Sequence, residues 1–196
     1  MFKKQFFVCL IAVLGFLQLG TVSAAVVSFS PSSQNVALGD SVSVDLRISG
    51  LGDDILSAFD LDISFDASIL DFQSFTFGTG LDTFGLGTLN DAADFGGGLV
   101  NVFELSFDLD ADLEFFQPND FVLGTFNFDT LSYGTSALDI SVIGLAGALG
   151  LPLDAELRSG SVSVVPVPAA IWLFGTGLIG LIGFSKRRKA TSKLVS

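Results

Sequence analysis

Through the middle of this chain, apolar side chains return at every second position. Val42, Val44, Leu46 and Ile48 alternate with Ser41, Ser43, Asp45 and Arg47, and Phe59, Leu61, Ile63 and Phe65 alternate with Asp60, Asp62 and Ser64. A backbone whose successive side chains point to opposite faces turns this pattern into a strand with one dry face and one wet face. The longest run sets Phe103, Leu105, Phe107 and Leu109 against Glu104, Ser106, Asp108 and Asp110, which predicts an apolar row facing inward and a carboxylate row facing solvent. Shorter runs follow at residues 26–29, 70–77, 121–128, 137–143 and 161–165. Eight or nine such strands predict an all-β sandwich.

Turn chemistry separates the runs. Pro31-Ser32-Ser33, Gly39-Asp40, Gly96-Gly97-Gly98, Pro118-Asn119-Asp120 and Gly134 fall where an antiparallel chain must reverse. No segment between residues 25 and 165 holds a helical apolar period over three turns. Residues 78–98 and 144–150 are glycine-rich and weakly patterned, and read as long loops.

Charge narrows the partners. All 21 Asp and Glu lie between residues 25 and 165, where Arg47 and Arg158 are the only basic residues, so this segment carries a net charge of −19 against −12 for the whole chain. Such a surface repels nucleic acid and anionic headgroups. Histidine is absent throughout, and this segment has neither cysteine nor lysine, which excludes His-based triads, thiol nucleophiles, Schiff-base lysines and the usual zinc sets. Carboxylate pairs such as Asp60 with Asp62 are the only catalytic groups left, and nothing sets them apart from a solubilising strand face, so no enzyme activity is expected. Phe supplies nearly all aromatic content, with Trp172 near the C-terminus and Tyr133 as the sole tyrosine. Phe suits a core better than a sugar-stacking platform.

Both ends read as addresses. Lys3 and Lys4 precede an apolar stretch over residues 6–19, and Val22-Ser23-Ala24 supplies the small residues of a signal-peptidase site, predicting a signal peptide over 1–24 cut between Ala24 and Ala25. Cys9 lies in that stretch, so the exported chain has no thiol and rests on burial alone. Near the other end, residues 169–184 are apolar; as a helix they would rise roughly 24 Å, which predicts a transmembrane helix. Lys186, Arg187, Arg188 and Lys189 follow as a basic stop, placing the C-terminus on the cytoplasmic side of an inner membrane. Four glycines, Gly175, Gly177, Gly180 and Gly183, have no strand before them; a nucleotide fingerprint is excluded there, and close helix packing is the alternative. The expected division is 1–24 signal peptide, 25–164 sandwich, 165–190 sorting signal and 191–196 tail.

The segment Val165, Pro166, Val167, Pro168, Ala169, followed by the apolar run and the basic stop, resembles the PEP-CTERM sorting signal of Gram-negative bacteria in its V-P-x-P-A variant, with Val167 where the name-giving Glu would stand. The resemblance implies an exosortase, a membrane-embedded protease or transpeptidase, as partner, and the cell surface or exopolysaccharide matrix as destination. A second resemblance covers the segment between the two ends. Residues 26–30, Gly39-Asp40-Ser41-Val42-Ser43-Val44, residues 58–66 and Ile69-Leu70-Asp71-Phe72 are similar to the opening strands of cohesin domains, while residues 123–128 and 160–164 fit later strands. It implies a jelly-roll β-sandwich related in fold to some carbohydrate-binding modules, with a dockerin-like protein as partner in the manner of cellulosomal cohesins.

One metal reading arises. Asp108, Asp110, Asp112 and Glu114 form a D-x-D-x-D-x-E run, and oxygen clusters are what Ca²⁺ selects. The run has Leu113 and Asn119 where an EF-hand loop needs Gly and a carboxylate, and alternate carboxylates on a strand stand about 7 Å apart. A solvated acidic strand is the plainer reading, and no cofactor is required. The expected role is an exported, non-enzymatic surface or matrix protein with an interaction domain. The alternatives are a carbohydrate-binding module acting on exopolysaccharide and a calcium-stabilised adhesin.

Overall fold

The computed structural model describes residues 24–166. Eleven strands and one short helix occupy this span: β1 Ala25–Ser30, β2 Ser33–Ala37, β3 Ser41–Ser49, β4 Ala58–Ser64, β5 Leu70–Phe77, β6 Thr88–Gly96, β7 Leu99–Ser106, α1 Asp110–Phe116, β8 Phe121–Thr130, β9 Gly134–Ala146, β10 Ala155–Arg158 and β11 Gly160–Val165. A 3-10 turn, Ala148–Gly150, follows β9. Two sheets stack face to face. One runs β10-β1-β3-β8-β5 and the other β2-β11-β9-β4-β7-β6. Neighbours pair antiparallel except at two places, where β10 lies parallel to β1 and β2 parallel to β11.

The inward rows of the two sheets make one core. Strand β3 buries Val42, Val44, Leu46 and Ile48, β4 buries Phe59, Leu61 and Ile63, and β8 contributes Leu123, Phe126 and Phe128. Phenylalanine fills the centre: the Phe126 ring stacks on Phe128 at 5.9 Å and meets Phe29, Phe72 and Phe75 at 6.4, 6.1 and 4.5 Å. Each ring of this size removed from water stabilises the fold by about 2–3 kcal/mol, and no cross-link is needed beside it.

Every shorter run expected as a strand is found in one, while the longest, 103–110, is strand only as far as Ser106. Three strands went unforeseen: β6 inside the expected loop over 78–98, and the polar edge strands β2 and β10. The expected loop at 144–150 is also partly strand, because β9 continues to Ala146.

Strand β7 corrects the sequence reading most sharply. It ends at Ser106, and its inward row is Val100, Val102 and Glu104, while Leu105 and Phe107 turn to solvent. The reason is parity. Val100 and Val102 are fully buried between the sheets, and once they face inward the period of two carries Glu104 inward with them. The chain then leaves the sheet, and Asp110 opens α1 instead of continuing a carboxylate row.

Among the described residues no helix is long and apolar enough to cross a membrane; the longest is the seven-residue α1. The expected C-terminal transmembrane helix, and the inner-membrane stage that rested on it, therefore find no support among the described residues. The two stretches that carried the helix expectations, residues 6–19 and 169–184, lie outside the described residues, as do Val167, Pro168, Ala169 and the basic stop Lys186, Arg187, Arg188 and Lys189.

Candidate functional site

The two outer faces of the sandwich differ in kind. On the five-stranded sheet the outward residues of β3 and β8 are small and polar and bond to one another. Ser41 donates to Asp129 at 2.6 Å, Ser43 to Asn127 at 2.7 Å and Thr125 to Asp45 at 2.7 Å. No large apolar side chain on β1, β3, β5 or β8 is exposed. This face is finished against water.

The other sheet is not. Registers across β6, β7, β4 and β9 set Leu89 opposite Leu105, Leu105 opposite Ala58, and Ala58 opposite Ala146, giving one apolar row across four strands. Leu89 is 55% exposed and Leu105 37% exposed. In the next row Asp91 faces Phe103 and Phe103 faces Asp60, so a half-buried phenyl stands between two carboxylates. A third row brings Asn101 against Asp62, and the Asn101 amide donates to Asp60 at 2.7 Å and Asp62 at 3.0 Å, holding both carboxylates side by side. Beside these rows, Val142 and Ile143 are exposed where the β4–β9 register slips between Asp60 and Leu61.

Past the end of β7 the apolar exposure continues. Phe107 is 52% exposed, and its N–H donates to the Gly87 carbonyl. The connection from β5 to β6 wraps around one buried carboxylate. Asp108, only 7% exposed, accepts the N–H of Phe84 at 2.8 Å, the N–H of Leu86 at 3.2 Å and the Thr83 hydroxyl at 3.3 Å. Phe84 and Leu86 are thereby turned outward, and the Phe84 ring meets Phe116 of α1 at 5.9 Å.

Helix α1 is held by few residues. Leu113 is its one buried side chain, and Gln117 just beyond it accepts the Leu56 N–H at 2.8 Å while donating to the carbonyls of Leu56 and Gly80, each at 2.9 Å. Its Phe115 and Phe116 are left exposed. A 500 Å³ hollow beside them is lined by Gly78, Gly80, Thr83, Phe116, Pro118 and Phe121.

Glu104 is 2% exposed, behind the exposed apolar rows. Burial pushes its carboxyl above the ordinary value and the Asp82 charge adds to the push, while hydrogen bonds from Thr88 and Asn90 pull the other way.

The sequence-proposed metal run is dispersed. Asp108 faces inward to the loop amides, Asp110 accepts the Leu149 N–H at 2.7 Å, and Asp112 and Glu114 ride on α1. Among the described residues no three carboxylates converge as metal ligands. Ala24 is exposed and Ala25 opens β1 as a buried residue, so the expected cleavage point coincides with the start of the fold. Val165 closes β11, and Pro166 is the last described residue. Sequence reasoning missed the exposed apolar rows because it placed Leu105 and Phe107 in the core. Val100 and Val102, apolar on the opposite parity, were the signal that could have found them.

Residues 164–189 match the PEP-CTERM protein-sorting motif. The fold is that of cohesins. The sixth cohesin of Acetivibrio cellulolyticus scaffoldin B, solved in complex with a Cel5 dockerin, superposes with a TM-score of 0.62 at 20% identity, over 73% of this chain and 100% of that one. A non-cellulosomal cohesin from the archaeon Archaeoglobus fulgidus gives 0.59 at 15% identity, over 76% and 96%. A cohesin of Clostridium thermocellum, solved in complex with a dockerin, gives 0.60 at 14%, over 73% and 100%. Among curated proteins, none matches the chain in sequence.

Proposed function

We propose that this chain is an exported, non-catalytic docking protein which its C-terminal sorting motif commits to the cell surface or extracellular matrix, and which engages a protein partner through the outer face of β6, β7, β4 and β9. One observation carries the docking reading: large apolar side chains are exposed on this sheet and at its α1 end, while the outer face of the opposite sheet is closed by its own hydrogen bonds. Contiguous exposed apolar surface on a folded domain marks an interaction site. Cohesins of the same fold, solved in complex with dockerins, support a dockerin-type partner. The sorting motif over residues 164–189 supports processing by an exosortase-type enzyme.

The division of the chain follows from the same reading. Cleavage between Ala24 and Ala25 would leave β1 whole, and β11 shares only Val164 and Val165 with the motif over 164–189, so a C-terminal cut beyond Val165 would spare the sandwich. A glycan-binding role has less support. Among the described residues the only aromatic ring with a hydroxyl is Tyr133, in the β8–β9 turn, whereas the exposed apolar row lies at the Ala146 end of β9.

Intact mass of the chain from hosts with and without the processing enzyme tests the sorting half: loss of the C-terminal segment only where the enzyme is present is expected, and an uncut chain in both hosts overturns it. Replacing Leu89, Leu105 and Phe107 together by serine tests the docking half. Partner binding should fall with the melting temperature little changed, and undiminished binding would sink the assignment of the face.

A further inference from the structure

The docking face carries acid and no counter-charge. Asp60, Asp62 and Asp91 stand in the two rows beside Leu89 and Leu105. The basic side chains among the described residues belong to the other sheet: Arg47 is on β3, and Arg158 on β10 is already paired with Glu156 at 3.0 Å. Asn101 satisfies one oxygen each of Asp60 and Asp62, and an amide supplies hydrogen bonds but no charge.

The middle row has a definite spacing. Asp91, Phe103 and Asp60 lie on three adjacent strands, which places the two carboxylates about 10 Å apart with the phenyl between them. An apolar partner without cations would cover these carboxylates and strip their water with nothing in return. A second copy of the domain, whose residues 25–165 sum to −19, and an anionic polysaccharide are both repelled.

We propose, building on the docking reading above, that the occupant of this face is a cationic protein segment in which Lys or Arg alternates with apolar residues. Its apolar anchors seat on Phe103 and on the Leu89–Leu105 row, and its cations meet Asp60, Asp62 and Asp91. Attraction brings the partner in and sets its register, and apolar contact retains it.

A random peptide library displayed on phage tests both layers. It is panned on the full chain and depleted on the Leu89→Ser/Leu105→Ser/Phe107→Ser variant, which keeps the charge and loses the apolar rows. Peptides that survive depletion bind this face, and their sequences are expected to carry net positive charge. Their affinity should drop by about tenfold or more in Asp60→Asn/Asp62→Asn/Asp91→Asn. It should hold in Asp45→Asn/Asp71→Asn/Asp129→Asn, which removes the same charge from the opposite sheet, and it should weaken with added salt. Survivors that are neutral or acidic, or that lose as much affinity in the opposite-sheet variant, overturn the cationic partner and leave the docking face standing. No survivors at all overturn the docking face itself. Circular dichroism melts of the variants confirm that each is folded before it is scored.

Discussion

Asp108 accepts the backbone N–H of Phe84 at 2.8 Å, so an acid buried at the end of β7 fixes the place of an exposed phenyl twenty-four residues earlier. Its second oxygen takes the N–H of Leu86. The exposed apolar surface at this end of the sandwich is therefore a set conformation, held from beneath by charge-assisted hydrogen bonds.

Asp108→Ala should remove the acceptor for three donors at once. A loss of about 2–3 kcal/mol is expected, from donors left unpaired in a nearly closed site. Amide hydrogen exchange checks the mechanism: Phe84 and Leu86 should lose protection far more than the β3 and β8 ladder does. Equal loss across the fold would mean the contact is not local.

Glu104 should make stability depend on pH in the direction opposite to a salt-bridged acid. Burial raises its folded-state value, so between its ordinary value and that raised one the folded chain holds more protons than the unfolded chain. Stability is then full below the window and falls as pH rises through it. Glu104→Gln should gain about 1 kcal/mol at pH 7 and nearly nothing at low pH, where the wild-type side chain is neutral in both states. Urea titrations at the two pH values measure this, and a gain of the same size at both would refute it.

Gln117→Ala should loosen α1. The side chain bonds Leu56 twice and Gly80 once, and its loss leaves a partly buried N–H and two carbonyls without partners, a cost of about 2 kcal/mol. Exchange at the Leu56 amide should rise, while the β3 amides keep their protection.

Gly98→Ala should be among the most damaging single-methyl changes. Gly98 turns the chain from β6 to β7 at φ +86°, and a methyl group there would fall on the Phe65 carbonyl oxygen, while the Gly98 carbonyl accepts the Phe65 N–H at 2.8 Å. We expect a loss of about 2 kcal/mol or more by thermal or urea unfolding. Gly97→Ala next to it, with positive φ but open space, should cost less.

Much of the fold was legible because burial selects on one face at a time. Strands β3 and β4 announce themselves by clean alternation, since each has one face in the core and the other in water. Strand β7 does not, because Val100 and Val102 on one parity and Phe103, Leu105 and Phe107 on the other are all apolar; period alone cannot say which set is inside. The answer lies in the register with β4 and β6, a non-local property. Strands β2, β6 and β10 each lie at the edge of a sheet and are polar or glycine-marked, and α1 is too short to display a period. The candidate face was hidden by the same ambiguity: residues that read as core from their composition are its surface. Both ends of the chain read as hydrophobic addresses; the sorting motif at the C-terminal one has a match, whereas the transmembrane helix expected within it has no counterpart among the described residues.

Strand β11 lies between β2, parallel to it over Ser33–Ala37, and β9, antiparallel to it, and it is the last described strand, running into the sorting motif at Val164. A cell-surface tether attached beyond Val165 would pull β11 along its own length, loading both ladders sideways so that their bonds yield together instead of peeling one by one. Drawn from that end, the domain should resist as a single mechanical unit and give one high-force rupture where a zipper geometry would give a low plateau.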